Sequence, residues 1–395
     1  MPIMEIRKKL WYDHNSLKAE KPVIVMETSG FQDEIMPESK CESPAAKEIE
    51  RNLLIPIINY ELINDDKIIS PYYSVFWNIE VKEFGLDIKV LHAKDRNGKE
   101  LGYKIEYPIS DIKNDFGILR QSVYSVNRTY TMEWKAFVED VLGDIIPVKI
   151  KNQSLTWYCS ISAKVVRLMG LETMMYSMID YPEEMYNLLS FIKNDILAFL
   201  NWQEKEGLLV LNNENDYVGG GSYGFTTELP ADDYRQGEPV RCKDLWLHMN
   251  SQETLGISPE MYGEFIFPHY CDIAKNFGLV YYGCCEPVHS IWEDYISKLP
   301  GIRKVSVSPW CDEEYMGNVL KNSNVIYSRK PSPNYIGVEK NFDEEAFRQH
   351  IAKTLKAAKD CKLEFIFRDI YTLSGDISKP GRAVKIVREM IDKMW

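Results

Sequence analysis

Two adjacent cysteines and a glutamate follow the apolar run LVYYG, which ends at residue 283. They are Cys284, Cys285 and Glu286. Successive side chains of a strand point to opposite faces, so only one of the two thiols is predicted to face the interior of a sheet. Gly283 shares its face with Cys285 and leaves space there, which makes Cys285 the predicted inward thiol. Thiolates bind soft metal ions, although most free cysteines are buried apolar residues.

Polar residues suited to metal or substrate binding follow several other apolar runs. Each run is short enough for a buried strand, and the polar residues begin where it ends. The candidates at these ends are His248, Gln252, Glu253, Cys311, Lys330 and Asp369. The alternative for each is structural: a loop hydrogen bond, a helix start or the neutralisation of a nearby charge.

A glycine-rich stretch, VGGGSYG at residues 218–224, contains the letters of the dinucleotide-binding motif GxGxxG. That motif needs a helix directly after the glycines to hold a pyrophosphate. Here the chain continues as FTTELP, which begins no helix. We therefore predict a flexible loop whose backbone approaches a substrate. Asp216, Tyr217 and Tyr223 lie in or beside this loop and are candidates for substrate contact, although packing is the alternative for each tyrosine.

The composition describes a globular protein and excludes several classes. The 395 residues carry a net charge of −12 and are 45% hydrophobic and 27% charged. The acidity argues against a nucleic-acid-binding protein. No apolar run approaches the roughly 18 residues of a membrane helix, and no signal-peptide segment follows the first methionine. We expect a cytoplasmic protein in which the eight cysteines are reduced thiols.

Strands and helices that alternate along the chain position these candidates. The predicted strands are centred near residues 75, 156, 209, 246, 281, 305, 326 and 365. Eight such units predict the α/β class and a (β/α)8 TIM barrel with an N-terminal extension; a doubly wound open sheet is the alternative. We divide the chain into an extension at residues 1–70 and a barrel at residues 71–395. Active sites of such barrels lie at the carboxyl ends of the strands.

The second half of the chain resembles the uroporphyrinogen-decarboxylase-like superfamily, and within it the corrinoid-dependent methyltransferases. The resemblance covers about residues 155–395 and rests on the runs SQETLGISPEMYGEFIFPHY, YYGCCEPVHSIW, IRKVSVSPWCD, YSRKPSPN and FIFRDIYTLSGD. The arginine-rich N-terminal motif of the decarboxylases is absent. The resemblance implies a (β/α)8 barrel and a zinc ion bound by a His-x-Cys motif and a distant cysteine.

Aligned on that motif, Cys285 takes the place of the ligand cysteine and Gly283 that of the histidine. The missing ligand has to come from elsewhere, and we infer that Glu253, Cys284, His248 or Cys311 completes the zinc site with Cys285. We further assign catalytic roles to Glu253, Tyr217 and Asp369, and substrate binding to Asp216, Tyr223, Gln252, Tyr282 and Lys330.

The function that the resemblance implies is zinc-dependent transfer of a methyl group to the Co(I) of a cobalamin carried by a partner corrinoid protein. The donor is a small methylated substrate, with a methoxylated aromatic favoured over a methylamine. One alternative is a metal-free decarboxylase of a porphyrin-like or other acidic substrate that uses Arg329, Lys330 and Arg368. Another is a binding barrel without chemistry. A homodimer is compatible with the sequence, and neither nucleic acid nor a membrane is expected as a partner.

Overall fold

A computed structural model describes residues 1–94, 96 and 100–395 of the chain. The helices are α1 (Pro2–Asn15), α2 (Gln32–Ile35), α3 (Pro44–Ile58), α4 (Ile112–Asp115), α5 (Arg128–Leu142), α6 (Ile161–Met169), α7 (Leu171–Asp180), α8 (Pro182–Lys205), α9 (Pro259–Met261), α10 (Phe267–Ala274), α11 (Glu313–Leu320), α12 (Asn334–Gly337), α13 (Glu344–Ala357) and α14 (Lys379–Met394). The strands are β1 (Val23–Met26), β2 (Tyr73–Phe76), β3 (Ile79–Lys82), β4 (Val90–Lys94), β5 (Glu100–Ile105), β6 (Val123–Val126), β7 (Val148–Lys151), β8 (Tyr217–Gly219), β9 (Ser222–Tyr223), β10 (Trp246–Met249), β11 (Leu279–Tyr282), β12 (Ile302–Val307), β13 (Ile326–Arg329) and β14 (Lys362–Phe367).

Six parallel strands form the main sheet, in the order β1-β14-β13-β12-β11-β10. Apolar residues on one face of its strands pack against helices such as α13 and α14, while polar residues such as Lys304, Ser328 and Glu364 are buried on the other face. The α/β class and the five strands predicted from residue 246 onward are confirmed. Within the described residues no strand pairs β1 with β10, so closure into a (β/α)8 barrel stays a prediction.

The first half of the chain differs from the predicted strand pattern. The strand predicted near residue 75 is β2, which pairs with β7 in a separate small sheet. The segments predicted near residues 156 and 209 are a turn and a stretch without regular secondary structure. The strand β1, which lies in the segment 1–70 predicted to be an extension, is instead part of the main sheet. Its four residues, VIVM, are buried throughout, and so short an apolar run has no periodicity to identify it.

Two aspartates take the place of a neighbouring strand along the outer edge of β1. Asp66 Oδ2 accepts a hydrogen bond from the Ile24 amide, and Asp65 Oδ2 accepts one from the Met26 amide, each at 2.8 Å. Lys67 Nζ donates to the Met26 carbonyl at 2.7 Å. Buried backbone amides require such partners. The side chains therefore satisfy this edge and leave an open space beside the sheet.

Helix α1 closes the amino end of the sheet and ties the beginning of the chain to its last strand. Trp11 packs with Val23, Val25 and Ile366 in a buried cluster. Next to it His14 Nε2 lies 3.1 Å from Glu364 Oε2, inside the sheet. No helix within the described residues is both long and apolar enough to cross a membrane.

Candidate active site

The thiol pair lies at the carboxyl end of β11, where the chain turns out of the sheet. Gly283 has φ +95°, and a Cβ at this position would lie 3.1 Å from the Cβ of Ser306. Any side chain is strained in that conformation. The backbone turn thus explains why glycine stands where the family resemblance places a histidine.

Both thiols face one cavity, and they contact a carboxylate from the far end of the chain. Cys284 Sγ and Cys285 Sγ are 3.4 Å apart, and the Cys285 thiol donates to Asp369 Oδ2 at 3.3 Å. Cys285, the predicted inward thiol, is half-buried, whereas Cys284 is only 4% exposed. Glu286 turns away and accepts hydrogen bonds from the amides of Ser251 and Cys284, at 2.8 and 2.9 Å. This buried carboxylate joins the ends of β10 and β11 and holds the thiols in place.

An arginine at the end of β14 connects the thiols to the end of β1. Arg368 Nε lies 3.5 Å from Asp369 Oδ2 and 3.4 Å from Glu27 Oε2. The other oxygen of Glu27 accepts a hydrogen bond from Tyr217 at 2.8 Å. The guanidinium carbon lies 5.5 Å from the centre of the Trp157 ring. The Nε and Nη1 of Arg368 have no hydrogen-bond acceptor in the described part of the chain.

The surroundings of the two thiols shift their pKa values in opposite directions. The neighbouring Cys285 thiol, together with the positive charge of Arg368, lowers the pKa of Cys284. The pKa of Cys285 is raised by its contact with Cys284, by burial and by the neighbouring Asp369. The two thiols therefore differ in acidity, and Cys284 is the more acidic of the pair.

The cavity in front of this group has a volume of about 770 Å³ and is lined by Trp157, Gln252, Cys284, Cys285, Trp310, Pro333, Asn334, Gly337, Val338, Arg368, Asp369, Tyr371 and Thr372. Its size is typical of small-molecule sites. Two lining residues, Trp157 and Asp369, have left-handed backbones with φ of +65° and +59°. Such conformations cluster at functional sites. The rim is apolar and open: Trp310, Val338 and Tyr371 are 66%, 68% and 75% exposed.

A second cavity, of about 730 Å³, occupies the open space beside β1. Asp216, Tyr217 and Tyr223 line it together with Glu27 and Trp157. Asp216 is paired with Lys151 at 2.6 Å. Trp157 lines both cavities, which places it beside the predicted substrate residues of the glycine loop as well as beside the thiols.

The remaining predicted ligands of zinc lie apart from the thiols. His248 donates from Nε2 to the Gly283 carbonyl at 3.2 Å, and burial lowers its pKa to about 3. Glu253 accepts a hydrogen bond from Ser162 at 2.7 Å. Cys311 lies 3.6 Å from Ser308 Oγ. Across residues 1–94, 96 and 100–395, no three His, Cys, Asp or Glu side chains form a group that could hold a metal ion. The donors present therefore do not fit the zinc site that the resemblance implies.

Two of the predicted substrate residues are buried in the sheet. Tyr282 hydrogen-bonds to Ser251 and to Tyr262 behind the sheet. Lys330 donates to Tyr281 and, at 2.7 Å, to Ser328. Burial lowers the pKa of Lys330 to about 7.

The cations of the decarboxylase alternative do not meet in one pocket. Arg329 is paired with Glu313 at 2.7 Å among the outer helices, and both side chains are buried. Lys330 is enclosed, and Arg368 alone of the three lines the thiol cavity. This arrangement does not favour a site that grips several carboxylates of an acidic substrate.

The glycine loop packs against buried side chains of the main sheet. A Cβ at Gly219 would lie 2.2 Å from Cγ of His248, and Gly219 has φ +104°. The glycine lets the loop approach that ring closely. This close packing accounts for the glycine-rich stretch, and no bound nucleotide is needed to explain it.

The sequence pattern does not predict Glu27 and Trp157, two residues that lie beside Arg368. Glu27 follows β1, whose strand character was not recognised, although an acidic residue after the apolar run VIVM was a usable signal. Trp157 lies in a turn, and nothing in its local sequence distinguishes it. Arg368 was considered only for the decarboxylase alternative.

Comparisons with known proteins extend the fold assignment. No family model and no curated protein sequence matches the chain. A solved methyltransferase from Methanosarcina mazei aligns over 98% of this chain and 98% of its own, with a TM-score of 0.52 and 11% identity. An endo-beta-mannanase/endo-beta-glucanase of Prevotella bryantii aligns over 94% of this chain and 48% of its own, with a TM-score of 0.33 and 12% identity. The chain is thus similar in fold to the Methanosarcina methyltransferase over its full length.

Proposed function

We propose that this protein transfers a methyl group from a small methylated donor, bound in the thiol cavity, to the Co(I) of a corrinoid on a partner protein. The observation that carries the proposal is the group formed by Cys284, Cys285, Arg368 and Asp369, which faces the cavity at the carboxyl ends of the strands. The fold similarity to a methyltransferase supports the same reaction class. Co(I) supplies the nucleophile, so the protein needs none.

The task left to the protein is to orient the donor and exclude water. The cavity wall suits this task because its polar groups hold one another in place: Asp369 accepts from Cys285, and Arg368 lies between Asp369, Glu27 and the ring of Trp157. Groups positioned in advance in this way lower the entropic cost of reaching a reactive geometry.

The exposed rim of the cavity supports the proposal that the methyl acceptor is carried by another protein. Trp310, Val338 and Tyr371 surround the cavity mouth with large apolar side chains that are more than three-fifths exposed. Aromatic residues are enriched in protein interfaces. A partner that covers this rim would bring its corrinoid to the donor and close the cavity to water. Zinc has no place in the proposal, because the described donors do not form a metal-binding group.

The test is methylation of free cob(I)alamin by the purified protein under anaerobic conditions, followed by the absorbance change from Co(I) to methyl-Co(III). The donors are a panel of methoxylated aromatics, methylamines and quaternary ammonium compounds. We expect Cys285→Ala to lower kcat/KM at least about tenfold, because it removes the contact that holds Asp369. Cys41→Ala is the matched control, since Cys41 is also a half-buried thiol but lies outside the cavity.

Two results would contradict the proposal. Release of CO2 from an acidic substrate without any methylated cobalamin would favour the decarboxylase. Binding of donors without turnover, in the presence of cob(I)alamin, would favour a barrel that has no chemistry.

A further inference from the structure

The cavity lacks the means to release a poor leaving group. Methyl ethers and neutral methylamines leave as anions unless a metal ion or an acid reaches the heteroatom. The part of the chain that the structure describes contains no metal-binding group. Two nearby protons are engaged, because the Cys285 thiol donates to Asp369 and the Tyr217 hydroxyl donates to Glu27, and the Tyr371 hydroxyl belongs to a rim side chain that is 75% exposed. A donor whose leaving group departs as a neutral molecule needs neither form of assistance.

We infer that the methyl donor is a quaternary ammonium compound that also carries a carboxylate, that is, a betaine. This inference rests on the proposed function and names its substrate class. In the transfer, the electron pair of Co(I) forms the Co–C bond and the C–N bond breaks. The electron pair of that bond stays on nitrogen, which leaves as a neutral tertiary amine. Cobalt passes formally from Co(I) to Co(III), and no proton is required.

The cavity offers the two kinds of group that recognise an ammonium. Trp157, Trp310 and Tyr371 line it with aromatic rings, and Asp369 contributes a carboxylate that is 35% exposed. Quaternary ammonium ions bind to aromatic faces, where they need no hydrogen-bond donor or acceptor. A methoxylated aromatic, the donor favoured by the sequence, makes no use of Asp369.

Arg368 explains why the ligand carries a carboxylate as well. Its guanidinium lines the same cavity and would repel a simple cation. Glu27 and Asp369 flank it at 3.4 and 3.5 Å, and its Nε and Nη1 are buried without an acceptor among the described residues. A ligand carboxylate would bind the part of the guanidinium that lines the cavity, since a guanidinium has five N–H donors. A zwitterion therefore fits the cavity better than a plain ammonium ion.

Calorimetric titration with three probes tests the inference directly. Glycine betaine is compared with 3,3-dimethylbutanoate, in which carbon replaces the ammonium nitrogen, and with choline, in which a hydroxyl group replaces the carboxylate. We expect betaine to bind about tenfold more tightly than either, since each analogue loses one charge: the ammonium that faces the aromatic rings and Asp369, or the carboxylate that faces Arg368. Equal affinity for betaine and 3,3-dimethylbutanoate would overturn the inference.

Two variants assign the contacts. Asp369→Asn should weaken betaine binding about tenfold and leave the binding of 3,3-dimethylbutanoate unchanged. Arg368→Gln should weaken both carboxylates and leave choline unchanged. Asp360→Asn is the matched control for the first variant, because Asp360 also has a left-handed backbone, which asparagine tolerates, and lies on the surface paired with Lys321. If Asp369→Asn and Asp360→Asn behave alike, the assignment of Asp369 is overturned.

Turnover separates this inference from the proposed function. Methylation of cob(I)alamin by glycine betaine, with 3-methoxybenzoate inert, supports both. Methylation by 3-methoxybenzoate with betaine inert would overturn the inference and leave the proposed function standing. Tight betaine binding without methylation by any donor would overturn the proposed function and, with it, the assignment of betaine as methyl donor.

Discussion

Replacement of Arg329 by methionine distinguishes a structural arginine from a substrate-binding one. Its Nη2 donates to Glu313 Oε1 at 2.7 Å and its Nη1 to the Ser308 carbonyl at 2.7 Å. The second oxygen of Glu313 accepts a hydrogen bond from Thr354 at 2.6 Å. The side chains of Arg329 and Glu313 are 1% and 6% exposed. Arg329→Met therefore leaves a buried carboxylate without its cation.

The expected loss follows from this burial. Removal of one partner of a buried ion pair costs about 3–5 kcal/mol, because the other charge remains desolvated. Arg348→Met is the matched control: its partner Glu389 also lies at 2.7 Å, but both side chains are about one-third or more exposed. A pair of that kind contributes about 0–1 kcal/mol. The two substitutions should thus differ by several kcal/mol in the free energy of unfolding.

Urea denaturation followed by circular dichroism measures that difference. Arg329→Lys, which keeps the charge, should recover part of the loss and provides a folded variant if the methionine variant is too unstable. Donor affinity, measured on whichever variant is folded, should equal that of the wild type. A methionine variant with unchanged stability and a raised KM for the donor would refute the reasoning and return Arg329 to the substrate site.

Three further outcomes are expected. Burial lowers the pKa of Lys330 from 10.5 to about 7. Between these pH values the unfolded chain binds more protons than the folded one, so the free energy of unfolding should rise with pH. Urea midpoints should show that Lys330→Met flattens this rise, and an equally steep rise in the variant would contradict the burial argument. Asp65→Ala leaves the Met26 amide of β1 without its acceptor and should cost about 1–3 kcal/mol, with faster hydrogen exchange at Met26; unchanged exchange would show that this edge of the sheet is satisfied in another way. Because the described side chains form no metal-binding group, methyl transfer should survive dialysis against EDTA and 1,10-phenanthroline; loss of activity that zinc restores would reinstate the zinc site.

Local pattern was enough to predict the second half of the fold. The strands β10 to β14 are short runs rich in apolar residues, and helices separate all of them except β11 and β12. This alternation predicts a parallel sheet. The same pattern places Cys284, Cys285 and Asp369 at carboxyl ends of strands. These predictions succeed because strand and helix periodicity are encoded over a few neighbouring residues.

Tertiary structure alone decided which of those side chains meet. Cys285 contacts Asp369 across 84 residues of sequence, and Glu27 reaches Arg368 from the opposite end of the chain. His248, in contrast, stands at a predicted site position, yet its ring donates to the Gly283 carbonyl and packs against Trp157. Sequence spacing shows where a strand ends, whereas the direction of each side chain depends on local backbone turns, such as the φ of +95° at Gly283, and on neighbours that are distant in sequence. The strand β1 was missed for the same reason, because its partners are β14 and the carboxylates of Asp65 and Asp66, which only the folded chain brings beside it.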